Sequence, residues 1–482
     1  MKLFKNFITN PESKIWYLIA FIINISIISF LIYNINQNVH LVKYPFEGLF
    51  LSEGDTGTYY GPLENIIQGK GYTSVCRMPA LLPIYLLFRM FLSVFWTKNA
   101  IIVLQITTNS IAAVLTAKIA YKFSNKLFIF YLTLTLYTTS FLLNKTTYYG
   151  YMDSFAVSTL VIGYYILIYK EINWKTLLLS GLFIGWSVFF RQVLGLNLFF
   201  ATLYIFVLFI KTRHFKKAIQ SSFLFITPFI IALIVWNGYS YSKHNEIPIL
   251  VKSGKKCWSG YPPHLQKVVK MVIGWGGNFT KWNGEAQWFI TNYMSEDEFP
   301  FSEKVMTSEY NYDSLLVLRR DFLSTMYDSF ENYEVKDSLI ASVSEKAIRY
   351  RASYIKEKPF EYYLYNRFVL LRKFIIPNQI DGLILPPLAE MNIIQKGAKA
   401  YWWGTFTLFN VLGIIGFLTF MIKTRWKNFL LHFSFISGFC YLVFIVGLIE
   451  QRYIAPYLPF IFIYASFIIF VVKEQFLKFK KS

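Results

Sequence analysis

Long apolar runs constrain the fold of this chain more than any other feature of its sequence. The runs 17–32 and 454–472 contain no charged residue, and they are too long and too apolar for the amphipathic helices of a soluble core. Only 16% of the residues are charged, whereas a soluble domain carries about 25%. These features predict an all-α polytopic membrane protein.

Ten runs are apolar enough to cross a membrane as helices, with boundaries defined to within a few residues. They are 15–35, 99–121, 127–143, 154–169, 176–190, 194–210, 219–240, 403–422, 428–447 and 454–472. The first run lacks a small-residue cleavage site, so it predicts a retained helix and not a signal peptide.

Segment 80–96 is also apolar, but it contains Pro83 and Arg89. If this segment is not counted as a membrane span, every basic cluster lies on one side of the membrane, which the positive-inside rule assigns to the cytoplasm. The segment is then expected to lie in the outer interface or to pack on the bundle. The protein is expected in the plasma (inner) membrane of the cell, with both termini in the cytoplasm. Anionic membrane lipid explains the net charge of +21 better than nucleic acid, which is not expected as a partner.

This topology divides the chain into three parts. Residues 1–240 are expected to form a seven-helix module whose first outer loop is 36–98. Residues 241–402 are expected to form an outer domain, and the apolar spacing within 301–376 predicts that it is helical. Residues 403–482 supply three further spanning helices and a basic cytoplasmic tail.

The three cysteines are too few for a disulfide framework. Cys440 falls within an apolar run, whereas Cys76 and Cys257 both fall on the expected outer side and are either free or bonded to each other. No spacing of His and Cys predicts a zinc site. No cofactor is therefore assigned, and a divalent cation stays an open alternative.

The first outer loop carries the most informative polar sequence. Asp55 lies among Gly54, Gly57 and Gly61, which are expected to permit a tight backbone around it. A short helix is predicted from near Thr58 to Gln68. Asp55 then either caps that helix or has a chemical role.

A series of short motifs continues along the same loop. They are Gly54-Asp55, Tyr59-Tyr60, Gln68-Gly69-Lys70-Gly71-Tyr72 and Arg77-Met78-Pro79, followed by apolar residues to Trp96. This series resembles the first outer loop of GT-C-fold glycosyltransferases, and most of all glycosyltransferase family 39 with its bacterial relatives. Those relatives include protein O-mannosyltransferases and lipid A aminoarabinose transferases. The expected layout is similar as well: a GT-C-like bundle of about ten transmembrane helices with two outer loops that carry helices.

The resemblance implies an inverting glycosyltransferase that moves a sugar from a polyprenyl-phosphate donor to a glycan, lipid or protein acceptor. Because phosphate leaves without help from an acid, one carboxylate is enough as general base. Asp55 is expected to be that base, since a free Asp with a pKa of about 3.9 is ionised at neutral pH. Asp153 resembles the second acidic position of the family. It is expected to orient the acceptor, pair with an arginine, bind a cation with Asp55, or merely cap a helix.

The leaving phosphate should meet cationic groups at the outer interface. The candidates are Arg452, Arg191, Arg77 and Lys70. Contacts to the sugar or the acceptor are expected from Tyr59, Tyr60 and Tyr453. The alternatives are arginines that reach for lipid headgroups and tyrosines of an interfacial aromatic belt.

Two other classes of function compete with an enzyme. A transporter or flippase of lipid-linked sugar would carry buried ionisable residues near the middle of the membrane, where the predicted helices are nearly free of them. A membrane scaffold gives no reason for the acidic, glycine-rich first loop. The sequence therefore favours an enzyme.

Overall fold

The computed structural model describes residues 10–38, 46–52, 56–74, 77–245, 247–249, 264–275, 284–290, 303–327, 333–377, 383, 385–424, 428–441 and 451–479. Within these ranges the chain is almost entirely helical, apart from one two-stranded antiparallel ribbon. It is an all-α membrane protein with several long apolar helices.

The helices and strands of the described residues follow one another in this order. They are α1 (Ile15–Gln37), β1 (Phe46–Glu47), β2 (Phe50–Leu51), α2 (Thr56–Ile67), α3 (Leu82–Arg89), α4 (Val94–Ser124), α5 (Leu127–Thr139), α6 (Phe141–Tyr148), α7 (Asp153–Tyr169), α8 (Trp174–Phe190), α9 (Gly195–Lys211), α10 (Phe215–His244), α11 (Leu265–Val272), α12 (Gly284–Ile290), α13 (Tyr312–Tyr327), α14 (Tyr333–Glu357), α15 (Asn366–Ile375), α16 (Ile393–Thr424), α17 (Phe429–Cys440) and α18 (Leu458–Phe479).

Among the described residues, six helices are long and apolar enough to cross a membrane: α1, α4, α9 with the turn before it, α10, α16 and α18. The bent pair α5 and α6 passes the same test when it is counted as one span. Helices α7, α8 and α17 are apolar but shorter than the roughly 20 residues that a bilayer requires. Each of the ten predicted runs thus overlaps an apolar helix in its described residues, and the number of spans stays a prediction.

The predicted run 127–143 is two helices, bent by 46° between α5 and α6. A break inside a bilayer exposes backbone carbonyls that only protein groups can satisfy. Asn144 Nδ2 donates to the Thr138 carbonyl at 2.8 Å, and Trp402 Nε1 donates to the Thr139 carbonyl at 3.2 Å. The break is therefore capped partly from within α6 and partly from α16.

Segment 80–96 contains helix α3, whose eight residues reach only about 12 Å. It is too short to span a bilayer, and α4 begins five residues after it ends. Tyr85 is buried, whereas Met90, Phe91 and Trp96 are exposed. Its position in the outer interface stays a prediction.

Glycines let some helices approach closely enough for backbone contact. A Cβ at Gly416 of α16 would lie 2.0 Å from the Tyr464 carbonyl oxygen of α18, and one at Gly181 of α8 would lie 1.8 Å from the Phe225 carbonyl oxygen of α10. No side chain fits at either distance. These two helix pairs use the small-residue packing of membrane helices.

Polar side chains inside the helix bundle bond to one another. The pairs are Asn24 with Ser110, Asn109 with Tyr137, Thr133 with Ser466, and His432 with Tyr464. Such bonds satisfy groups that have no access to water. His432 is fully buried in α17, so the expectation that the helices are nearly free of ionisable residues misses this histidine.

The chain divides into two compact units. The first comprises Met1–Lys252, Gln379–Gly438 and Gln451–Ser482, and the second comprises Ser253–Asn378 and Phe439–Glu450. The helices expected within 301–376 are present as α13, α14 and α15. The second unit has its own core, rich in buried aromatic residues such as Trp288, Phe322 and Tyr350. The predicted domain boundaries stay predictions.

Candidate functional site

Asp55 lies outside the described residues, as do Glu53 and Gly54. The helix predicted after it is confirmed, because α2 begins at Thr56 and ends at Ile67. The expected role of Gly57 and Gly61 is wrong. Both lie within α2 without a positive φ, and a Cβ at either position would meet open space.

The start of α2 packs against the segment that leads to Asp153. Leu51 of β2 pairs with Tyr149, and the Gly150 backbone N–H donates to the Leu51 carbonyl at 3.0 Å. A Cβ at Gly150 would lie 2.5 Å from Cγ2 of Thr56. Gly150 is therefore required for contact with the residue that directly follows Asp55.

The glycine motif at 69–71 forms a turn held by α10. Gly69 and Gly71 adopt φ values of +76° and +74°, which non-glycine residues rarely adopt. The Tyr72 backbone N–H donates to the Tyr239 hydroxyl at 2.7 Å, and the Tyr72 hydroxyl donates to the Arg77 carbonyl at 2.8 Å. The motif thus fixes the backbone at Arg77.

Asp153 and Arg191 form a bidentate ion pair. Asp153 is the first residue of α7, and Arg191 follows the last residue of α8. Arg191 Nη2 donates to Asp153 Oδ2 at 2.5 Å, and its Nε donates to Oδ1. The Asp153 side chain is 1% exposed, and the Arg191 side chain is 6% exposed. Of the roles considered for Asp153, the structure shows pairing with an arginine; the cap position belongs to Met152.

Electrostatics hold Arg191 in its charged form. Burial alone would lower its pKa, but the Asp153 carboxylate, Tyr59 and Tyr453 together raise that pKa well above the usual value. A buried charge persists only when it is paired and hydrogen-bonded in this way. The Asp153–Arg191 pair is therefore a fixed element of the site.

Two arginines share the ring of Tyr453. The Arg191 guanidinium carbon lies 5.2 Å from the Tyr453 ring centroid, and that of Arg452 lies 5.4 Å from it. Arg452 also lies 5.1 Å from the ring of Tyr151, which stacks on Tyr149 at 5.3 Å. These distances are in the cation–π range. Arg452 keeps part of its side chain exposed, unlike Arg191.

Arg77 lies over Tyr59, with 4.7 Å between its guanidinium carbon and the ring centroid. Tyr59 also helps to raise the pKa of Arg191, so Arg77 and the buried pair lie in the same neighbourhood. We refer to the following residues as the Arg–Tyr cluster: Tyr59, Arg77, Tyr151, Asp153, Arg191, Arg452 and Tyr453. They come from distant parts of the sequence.

Two other candidates have different surroundings. Tyr60 is buried with its ring against Phe50 and Tyr85, and burial raises the pKa of its hydroxyl. Lys70 is exposed and donates to Gln68 at 2.9 Å. Their predicted roles, sugar or acceptor binding for Tyr60 and phosphate binding for Lys70, stay predictions.

Sequence reasoning missed two features near the site. Glu64 of α2 accepts hydrogen bonds from Tyr85 and, at 3.2 Å, from Arg89 Nε, so it links α2 to α3. The signal was Arg89 itself, since a cation in an apolar segment needs a partner. The second feature is the contact between Tyr151 and Arg452, which depends on chain folding and has no local signal.

No three His, Cys, Asp or Glu side chains converge as metal ligands within the described ranges. Asp153 is bonded to Arg191 through both carboxylate oxygens. What the cluster offers chemically is positive charge on aromatic surfaces, with Arg77 and Arg452 partly exposed. Such groups suit an anionic ligand that also has an apolar or sugar-like face.

Comparison with known proteins finds no family model, curated protein or solved structure that matches the chain. The resemblance to GT-C-fold glycosyltransferases therefore rests on the motifs of the first loop and on the order of the apolar runs.

Proposed function

We propose that this chain is an inverting membrane glycosyltransferase that moves a sugar from a polyprenyl-phosphate donor to a glycan, lipid or protein acceptor at the outer face of the membrane. One observation carries the proposal. Thr56, which directly follows Asp55 in the sequence, packs on Gly150 of the segment that enters the Arg–Tyr cluster. That contact supports a site in which a carboxylate works beside a group of cations, as transfer from a phosphate donor requires.

In this proposal Asp55 is the general base. It removes the proton of the acceptor hydroxyl while that oxygen attacks the anomeric carbon, and the phosphate departs from the opposite face with the bonding electrons. Direct displacement of this kind inverts the configuration. A positioned base contributes about 10²–10⁴-fold to such a step.

Arg452 and Arg77 are the proposed ligands of the donor phosphate. Both are partly exposed and lie on tyrosine rings, so they combine positive charge with flat surfaces for a sugar. Arg191 packs against Tyr453 from within, and Asp153 balances its charge and holds it in place. Asp153 is then a positioning residue that acts through Arg191 on Tyr453. Lys70 and Tyr60 are not assigned a role in this arrangement.

The test is mass spectrometry of envelope glycans and lipids in four strains: wild type, deletion, and deletion complemented with Asp55→Asn or with Glu53→Gln. The neighbouring carboxylate makes Glu53→Gln a matched control. We expect one glycan or lipid to lose the same sugar in the deletion and the Asp55→Asn strain, and to regain it with Glu53→Gln. Restoration by Asp55→Asn would reject Asp55 as the base.

Donor recognition is tested with Arg452→Ala in the same strains. We expect sugar transfer to fall, and to recover in part when expression of the enzymes that make polyprenyl-phosphate sugars is raised, because weaker binding is overcome by more donor. Lys423→Ala removes an exposed cation from the end of α16 and serves as the matched control. Equal effects of the two changes would contradict a donor-binding role for Arg452.

A transporter or flippase of lipid-linked sugar is the second candidate, and His432 is the observation that favours it. Ionisable residues inside membrane helices often line transport paths. His432 of α17 is buried, and its Nδ1 lies 3.1 Å from the hydroxyl of Tyr464 on α18. Aromatic rings from Phe417, Phe420 and Tyr464 surround it. If His432→Gln abolished sugar addition while Asp55→Asn restored it, transport would become the better proposal.

A further inference from the structure

A cleft of about 560 Å³ opens between the end of α1 and the segment that leads into α16. Its volume is in the range of small-molecule sites, about 300–1,000 Å³. The lining residues are Phe30, Tyr33, Asn34, Gln37, Asn38, Pro386, Glu390, Asn392, Ile394 and Gln395. The cleft shares no residue with the Arg–Tyr cluster.

Hydrogen bonds between side chains preorganise this cleft. Asn392 and Gln395 cap the start of α16 reciprocally: each side-chain oxygen accepts from the other residue's backbone N–H, at 2.9 and 3.0 Å. Gln395 Nε2 also donates to Asn34 Oδ1 at 2.9 Å, which ties α16 to α1. The Asn34 amide in turn donates to the Phe30 carbonyl at 2.8 Å. The walls are thus fixed by bonds that do not use Gln37 or Glu390.

The lining is rich in amides and contains no Lys or Arg among the described residues that form it. This is unusual for a chain that has 48 basic and 27 acidic residues. The single carboxylate, Glu390, disfavours a phosphate or another anion. Amides both donate and accept hydrogen bonds, and the carboxylate accepts them, which suits hydroxyl groups because these also donate and accept. Phe30 and Tyr33 add flat apolar surfaces.

Two apolar lining residues of the cleft are exposed. Tyr33 is 63% exposed and Ile394 is 66% exposed. Helix α1, which forms one wall, has only 28% of its apolar stretch buried, so most of its surface is left for lipid. A ligand in the cleft would place a polar group among the amides and an apolar group beside α1.

We propose that this cleft binds the headgroup of a membrane lipid that is uncharged and rich in hydroxyls, such as a glycolipid. The polar walls take the hydroxyls, and the exposed side of α1 takes the acyl chains. Such binding does not depend on whether the chain transfers sugar, so each proposal can fail without the other.

The experiment is native mass spectrometry of the full chain, purified in a polyethylene-glycol detergent without sugar. The probes are monoglucosyl dioleoylglycerol, dioleoylglycerol and dioleoylphosphatidylglycerol, which share acyl chains and differ in headgroup. We expect the glucolipid to bind about tenfold more tightly than either of the others, as one or two net hydrogen bonds would give. Equal binding of dioleoylglycerol, or tighter binding of the anionic lipid, would overturn the proposal.

Two variants locate the binding. Gln37→Leu/Glu390→Leu removes the two lining groups that the wall bonds do not use, and we expect it to abolish the preference for the glucolipid. Gln220→Leu changes an exposed amide on α10, away from the cleft, and should keep the preference. An unchanged preference in the double variant would refute this location. If methyl glucoside competed at concentrations near those of the glucolipid, the ligand of the cleft would be a soluble saccharide with the same hydroxyl groups and not a lipid.

Discussion

Neither the Asp153 carboxylate nor the Arg191 guanidinium could be buried in its charged form without the other. Their bidentate contact satisfies both groups, and Tyr453 covers the guanidinium. Because the pair is almost fully buried, solvent does not screen it, and the loss of one partner leaves the other charge without compensation.

Asp153→Asn should therefore lower the free energy of unfolding by about 3–5 kcal/mol. Arg191→Gln should have a similar effect, and the double variant should lose clearly less than the sum of the two. Thermal unfolding of the purified protein in nanodiscs measures all three.

The matched control for these three variants is Glu345→Gln. It breaks an exposed ion pair with Arg349, which lies four residues further along α14. Exposed pairs of this kind contribute little, so the unfolding temperature should not change. An Asp153→Asn protein as stable as wild type would contradict the role of the pair.

The sequence identified the residues of this pair but not the bond between them. Asp153 and Arg191 each follow a recognisable motif, and pairing was one of several roles considered for Asp153. Nothing in a separation of 38 residues indicates contact, because it depends on how α7 and α8 pack. The same reason explains why Tyr151 was not connected to Arg452.

Among the helices, the contact of α16 with α18 depends on glycine at two positions. A Cβ at Gly413 would lie 2.7 Å from Cγ2 of Ile461, and one at Gly416 would lie 2.0 Å from the Tyr464 carbonyl oxygen. The second distance involves backbone, which cannot rotate away as a side chain can.

Gly416→Ala should thus force the two helices apart and destabilise the protein by about 1–3 kcal/mol. Gly404→Ala on the same helix meets open space and should leave stability unchanged or slightly higher. The measurement is the fraction of monodisperse protein that remains after heating, followed by size-exclusion chromatography. Equal loss in both variants would reject the close-approach explanation.

Helices were predictable where composition alone decides them. All ten apolar runs overlap helices in their described residues, because a long apolar run has few other stable forms in a membrane. The break at Ser140 was not predictable, since 127–143 is apolar throughout. Its bend depends on Asn144 and on Trp402, and the latter is a partner far along the chain.

In the molecule as a whole, the second unit contains a histidine that should make its stability depend on pH. His264 is buried, lies against Phe322 and bonds to Thr325 Oγ1 at 2.6 Å. Burial and the charge of Lys336 lower its pKa to about 4. In the unfolded chain the pKa of a histidine is about 6.5.

The unfolded chain therefore binds the extra proton first as the pH falls. The stabilisation that comes from neutral His264 should be complete above pH 6.5 and should be lost progressively down to about pH 4. Hydrogen exchange of the full protein, corrected for intrinsic rates, should show α11 and α13 opening more readily at pH 4.5 than at pH 7.

His264→Gln should reduce this dependence, whereas His214→Gln, at an exposed position of the first unit, should not. If α11 and α13 were equally protected at both pH values in the wild-type protein, His264 would have no such influence.

The capping of the α5–α6 break by Trp402 also sets an order of events during synthesis. The Thr139 carbonyl is synthesised 263 residues before its indole partner. At about 5–20 residues per second, the ribosome needs tens of seconds to reach that tryptophan. Throughout this interval the nascent bundle holds an unmet acceptor at its bend, which a translocon, water or a chaperone must accommodate until α16 arrives.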